Sequence, residues 1–169
     1  MLCATLVSVS CNPNSMMHCD PAHVSAQTLM TAQRNGVLWN TRSIKGSLSP
    51  IDSLTINATS AQLQTYPVIK LDSLAIKIAY TSTGSYKLAG NQVFYATFNQ
   101  NGALNSYNLD NTFDNEITIS SYQAPDNPYM TNTNAVEIKG TFNIKFIDPN
   151  NPAGISFSNG NFYFIVNQQ

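Results

Sequence analysis

Hydrophobic and polar positions alternate along most of this chain with a period of two, which is the signature of half-buried strands. Residues 136–146 give the longest case. Val136, Ile138, Gly140, Phe142, Ile144 and Phe146 fall on one face, and Glu137, Lys139, Thr141, Asn143 and Lys145 on the other. Successive side chains of a strand point to opposite sides, so the first set is predicted buried and the second wet. Gly140, on the buried side, predicts a bulge or a large side chain crossing the strand there. Residues 161–167 are apolar on both faces, Phe162, Phe164 and Val166 on one and Tyr163 and Ile165 on the other. That predicts a central strand or a crossover between sheets. Leu54, Ile56 and Ala58, then Leu74, Ile76, Ile78 and Tyr80, then Val93, Tyr95 and Thr97, then Ile117 and Ile119 alternate with their neighbours in the same way. Residues 29–33 and 37–44 predict an opening hairpin about Asn35-Gly36. Asn101-Gly102 and Asn159-Gly160 mark two further turns, because Asn and Gly tolerate positive φ. Residues 60–66, ahead of Pro67, give the one local helical signal. Nothing sustains a 3.6-residue period with caps, and no internal repeat is found. The spacing of strands and turns predicts an all-β fold, an antiparallel β-sandwich or flattened β-barrel of about eight to ten strands with little helix.

Composition changes the picture at the surface. Only 10% of the 169 residues are charged, against about 25% in an average domain. Asparagine, glutamine, serine and threonine fill the gap, so the wet face is built from amides and hydroxyls. A chain of this length can bury about two-thirds of its unfolded surface without disulfides or metal. The formal net charge is −1 with eight basic residues. These are dispersed, which leaves no electrostatic footprint for nucleic acid. No apolar run approaches the roughly 18–20 residues of a membrane helix. Cys3, Cys11 and Cys19 all fall at the front of the chain, so no disulfide framework spans the body.

That front end has its own character. Leu2 to Ser10 is a short apolar stretch that closes on small residues, Ser8 and Ser10, before Cys11. It resembles the tail end of a bacterial lipoprotein signal peptide, in which the cysteine is lipidated and becomes the mature N-terminus. The resemblance implies a partial signal over residues 1–11 and Cys11 as the lipidation site. Residues 12–26, broken by Pro13 and Pro21, read as a flexible tether, and residues 27–169 as a single all-β domain. His18, Cys19 and His23 lie in the tether at spacings that match no zinc template.

Two sets of motifs carry a family resemblance. The opening reads Met30-Thr31-Ala32-Gln33-Arg34-Asn35-Gly36-Val37-Leu38-Trp39-Asn40. The close reads Val136-Glu137-Ile138-Lys139-Gly140-Thr141-Phe142, then Asp148-Pro149, then Ile155-Ser156-Phe157-Ser158-Asn159-Gly160-Asn161-Phe162. Between them stand Tyr86-Lys87-Leu88 and Gly90-Asn91. In this order, over residues 28–166, the chain resembles small uncharacterised Bacteroidota envelope lipoproteins. The resemblance implies an address in the bacterial cell envelope, at the outer membrane, and brings no catalytic residues with it.

The chemistry available to the body is limited. Both histidines lie in the tether, which leaves no Ser-His-Asp triad and no histidine-bearing zinc site in the domain. Phosphate-cradling glycine loops are absent. Paired-carboxylate catalysis has only Asp52, Asp72, Asp110, Asp114, Asp126, Asp148, Glu116 and Glu137 to draw on. Residues 108–116 concentrate oxygen ligands, which makes Asp110, Asp114 and Glu116 the candidate calcium ligands, although the order is not that of an EF-hand. Trp39, Tyr66, Tyr107, Tyr122 and Tyr129 fall near predicted strand ends or loops. Trp39, inside a strand, is expected to anchor the core. Tyr107, Tyr122 and Tyr129, with amide-rich loops, are the candidate ligand-binding platform, because flat rings stack on sugar faces and amides supply paired donors and acceptors. Asn57-Ala58-Thr59 is a glycosylation sequon inside a predicted strand. The expectation is a lipid-anchored envelope protein without catalysis, a binding or accessory module for a glycan or protein ligand. The alternatives are a carboxylate-dependent glycan-active enzyme and a structural envelope subunit.

Overall fold

The computed structural model describes residues 29–41, 43–49, 53–63, 69–80, 82–98, 104–124 and 134–167. Among them every regular element is a strand: β1 (Leu29–Arg34), β2 (Val37–Asn40), β3 (Ser43–Ser49), β4 (Ser53–Leu63), β5 (Ile69–Ala79), β6 (Gly84–Lys87), β7 (Val93–Phe98), β8 (Leu104–Leu109), β9 (Glu116–Gln123), β10 (Ala135–Asp148) and β11 (Asn151–Asn167). All pairings are antiparallel, in the order β2-β1-β11-β10-β8-β7-β5-β4-β3, with β9 and β6 branching from β10. The sheet forks at β10, whose residues Glu137 to Asn143 pair with β9 and whose Phe146 and Ile147 pair with β8. It curls into a half-barrel with its two arms facing each other. The all-β, barrel-like or sandwich-like expectation holds.

The alternating pattern places the core. Met30 and Ala32, then Leu54, Ile56 and Ala58, then Leu74, Ile76 and Ile78, then Ile117 and Ile119, and the even-numbered residues of β10 from Val136 to Phe146 point inward and are buried. Trp39 is fully buried, with its ring edge-on to Phe157 at 5.1 Å between centroids, so the core-anchor expectation holds. β11 runs between β1 and β10, as its two apolar faces predict.

Several expectations are corrected. Asn159-Gly160 does not turn the chain, because residues 151–167 form one strand. Phe157 and Phe162 are both buried although they are five residues apart, an odd interval that would put them on opposite faces of a regular strand. Asn159, at φ 51°, supplies the extra residue that restores the phase. The slip is seen from both neighbours, between Thr31 and Gln33 and between Phe142 and Ile144, as at a bulge. A second bulge lies in β9 opposite Lys139 and Gly140. It carries Ile119 and Tyr122, three residues apart, to the same side.

The segment 37–44 is two strands rather than one. At Thr41 the hydroxyl accepts from Met30 N at 3.2 Å and donates to Met30 O at 3.1 Å. This closes the β1–β2 ladder, and the chain then crosses to the other arm. Residues 60–63, expected to start a helical turn, continue β4 in register with β5 through Leu63↔Ile69; 64–66 lie outside the described residues. Glu137, expected wet, is only 6% exposed. Tyr163 Oη donates to its Oε2 at 3.2 Å, and Lys139 Nζ stands 2.5 Å from its Oε1. The eleven strands among the described residues exceed the expected number mainly because of the break at Thr41 and the short β6.

Asn35-Gly36 is the turn its sequence predicts, with φ 51° and 78° and Arg34 paired to Val37. The Asn35 side chain also ties the turn to β11, accepting from Ser156 N at 2.7 Å. Residues 99–103, which include Asn101-Gly102, lie outside the described residues, and Phe98↔Leu104 pair on either side of them.

Both expectations for Gly140 are met. It sits at the β9 bulge, and a Cβ there would lie 2.1 Å from Thr118 O and 2.4 Å from Phe162 Cζ. Gly160 faces Phe142 in the same manner, at 2.4 Å, and Gly46 of β3 meets Phe164 at 2.1 Å. Gly140→Ala should therefore destabilise the fold by about 2–3 kcal/mol, measured by urea unfolding. A loss under about 0.5 kcal/mol, the level of ordinary surface substitutions, would refute this packing.

Candidate functional site

The outer face of the β4–β5–β7 arm carries a ring that the core does not use. Val93 and Tyr95 point inward, so Phe94 between them points out, and it is 47% exposed. It lies opposite Ala75 of β5. The Gly90-Asn91-Gln92 turn ahead of β7 folds back over the same face. Gln92 N donates to Ala89 O at 2.9 Å, Lys77 N donates to Gln92 O at 2.7 Å, and the Gln92 side chain accepts from Ala89 N at 2.7 Å. These bonds hold the turn as one wall of a shallow, open groove of about 290 Å³. Its lining includes Thr55, Ala75, Lys77, Asn91, Gln92 and Phe94, with no carboxylate among the described residues. The groove thus offers one flat apolar ring, two amides, a hydroxyl and an ammonium group.

The inner face carries a second polar feature. Arg34, in phase with Met30 and Ala32 on β1, reaches across the half-barrel to Asp72 of β5, which is in phase with Leu74. The guanidinium Nη1 is paired with Asp72 Oδ2 and donates to Tyr95 Oη at 3.1 Å. The Asp72 side chain is fully buried and that of Arg34 is 22% exposed. Burial raises the Tyr95 phenol well above its ordinary value, and the charge of Asp72 adds to this against the opposing Arg34. Ser60, beside Asp72 in the sheet, donates to Asn40 O at 2.6 Å. The geometry is that of a bolt between the two arms, not of an open site.

The sequence-predicted residues are dispersed. Tyr107 is half-buried, its ring 5.4 Å from that of Tyr95 and its hydroxyl 3.3 Å from Thr97 Oγ1. Tyr122 is half-buried against Tyr80 at 5.1 Å. Tyr107 joins the aromatic group that contains Phe146, and Tyr122 sits opposite Ile138. Those two β10 positions are about 26 Å apart along a strand. Tyr129 and Tyr66 lie outside the described residues, as do Cys11, His18, Cys19 and His23. Tyr107 and Tyr122 therefore do not share one platform. Phe94, which the alternating pattern did not single out, is an exposed ring; its signal was an aromatic out of phase with the buried Val93 and Tyr95.

The candidate calcium ligands are divided between two lysines. Asp110 Oδ1 accepts from Thr112 N at 3.0 Å and Thr112 Oγ1 at 2.6 Å, and its Oδ2 lies 3.3 Å from Lys145. The Thr112 bonds, and secondarily Lys145, hold its carboxyl below the ordinary range. Asp114 and Glu116 share Lys87, at 2.6 and 2.7 Å, which lowers the Glu116 carboxyl and raises the Lys87 ammonium group. Among the described residues no three His, Cys, Asp or Glu side chains are grouped as a metal site.

A family model described as a domain of unknown function, DUF6252, matches residues 26–166. The chain belongs to the DUF6252 family. No curated protein and no solved structure matches it. The DUF6252 match covers every strand described except the last residue of β11, so the groove and the Arg34–Asp72 bolt both lie inside the family domain.

Two outcomes follow from these charges. Arg34→Met should cost about 3–5 kcal/mol because it removes the cation beside the buried Asp72 carboxylate, and adding Asp72→Leu should recover most of the loss; additive losses in urea unfolding would contradict the bolt. Tyr80, against Tyr122 and Tyr86, is pushed up to about 12 by burial and then by those two phenols. An unfolded tyrosine ionises near pH 10, so the unfolded state binds fewer protons between roughly pH 10 and 12 and stability falls as pH rises through that window. Tyr80→Phe should make the fall shallower in pH-resolved unfolding, and an unchanged slope would contradict it.

Proposed function

We propose that this DUF6252 chain is a non-catalytic, lipid-anchored binding module of the bacterial cell envelope that takes a glycan in the groove beside Phe94. The observation that carries the reading is the exposed Phe94 ring with the amides of Asn91 and Gln92 beside it. An aromatic face stacks on the C–H face of a sugar, and side-chain amides donate and accept at once, as vicinal hydroxyls require. The groove is shallow and open, which suits a chain ligand passing over the sheet. Among the described residues its lining holds none of the carboxylate pair that glycoside hydrolysis needs, which favours binding over turnover. The anchor rests on Ser8, Ser10 and Cys11 and on the envelope lipoproteins that the chain resembles, and residues 12–26 would give the domain reach from an outer-membrane surface.

A thermal-shift screen against soluble bacterial and host glycans tests the binding. A ligand at a hundredfold excess over its Kd should stabilise the protein by about 2.7 kcal/mol, and Phe94→Ala should weaken it by at least about tenfold, or about 1.4 kcal/mol. No shift across the panel, or a shift that Phe94→Ala leaves intact, would overturn the groove. The anchor is tested by the mass of the native N-terminal peptide from the host's membrane fraction. A diacylglyceryl-modified Cys11 is expected, and an unmodified peptide in the soluble fraction would refute it.

A further inference from the structure

We propose that the chain dimerises by antiparallel pairing of β8 with the same strand of a second copy. Along Leu104 to Tyr107, β8 pairs with β7 on one side, but it meets β10 only at Asn108 and Leu109. Running antiparallel to β10, the residues of β8 ahead of Asn108 extend past the end of β10 at Asp148, so one edge of β8 is left open among the described residues. Leu104, Asn105 and Ser106 are exposed, Leu104 at 54%.

Open edges invite pairing, and proteins usually blunt them with lysines, irregular backbone or short length. Three other described edges follow that rule. β3 carries the exposed Lys45; β6 has four residues, a Gly84 at φ 144° and the exposed Lys87; β2 has four residues and is locked at its end by Thr41. β8, Leu-Asn-Ser-Tyr-Asn-Leu, has no charge, proline or glycine.

A second copy fits this edge because the strand is complementary to itself. In an antiparallel pair the residues directly opposite share a face, and a two-fold axis makes the contact isologous. Leu104 and Ser106 lie on the outer face and Asn105 on the inner, so an axis through Asn105 places Leu104 opposite Ser106 of the partner subunit. Asn105 then faces its own copy, and an amide both donates and accepts, so the two satisfy each other. Leu71, Phe98 and Leu104 form an apolar row in register across β5, β7 and β8, and the joined sheet would cover its open end. Both Phe94 rings would fall on one continuous face.

Light scattering on the full chain, under reducing conditions and across a concentration series, tests the pairing. The expected mass is twice 18.5 kDa. Asn105→Lys, which sets two ammonium groups opposite each other at the axis, should raise the dissociation constant at least about tenfold while leaving the melting temperature of the monomer in place. Leu38→Lys on the β2 edge should leave the dimer intact. A single-chain mass at every concentration, a dimer unmoved by Asn105→Lys, or one split by Leu38→Lys would each overturn the proposal.

Discussion

The fold depends on an exchange of rings for glycines between its two longest strands. Phe162 of β11 lies over Gly140 of β10, and Phe142 of β10 lies over Gly160 of β11, each ring opposite the glycine it covers in the ladder. Phe164 then crosses the interior to Gly46 of β3 on the other arm. Each glycine gives a ring the volume that a Cβ would occupy, so the arms approach without a void. Because a one-residue slip would send every ring to the wrong face, this packing also fixes register. The bulge at Asn159 is its consequence: the ring at 157 and the ring at 162 can share the interior only if one residue between them is taken out of phase.

Around this hydrophobic exchange the polar interior does a narrower task. Arg34 and Asp72 are set in apolar phases on strands from opposite arms. A buried ion pair of this kind contributes little net stability over an apolar replacement, yet is costly to break on one side. Its geometric effect is to tell the β1–β2 hairpin where to sit against β5. Ser60 to Asn40 O, and Asn35 to Ser156, hold the same hairpin at its two ends.

The strands were legible in the sequence because period-two alternation is a local signal that burial enforces. The crossing at Gly140 and the turn at Asn35-Gly36 were legible for the same reason, since each has a requirement that few residues meet. The nature of Asn159-Gly160 was not. Positive φ serves a turn and a bulge equally, and only the phase of Phe157 against Phe162 separates them. Glu137 was placed on the wet face because alternation gives the side but not what covers it, here Tyr163 and Lys139. The candidate ligands failed to converge for a related reason. Asp110, Asp114 and Glu116 are close in sequence, but lysines from β10 and β6 divide them, and strand order is a non-local property. Phe94 was in plain view as an aromatic out of phase with the buried Val93 and Tyr95, and the groove needed the turn at Gly90 to gain its wall.

β10 and β11 form one ladder, broken only by bulges, on which both the rings and the outer faces are hung. Amide hydrogen exchange followed residue by residue tests that directly. Phe157, Phe162, Ile138 and Phe142 should exchange only through global unfolding, at a common free energy, with no fast-exchanging gap between Phe157 and Phe162 beyond the bulge residues themselves. A free, rapidly exchanging turn over residues 158–161, with the two sides protected to different extents, would mean that Asn159-Gly160 closes a hairpin after all and would contradict the architecture described here.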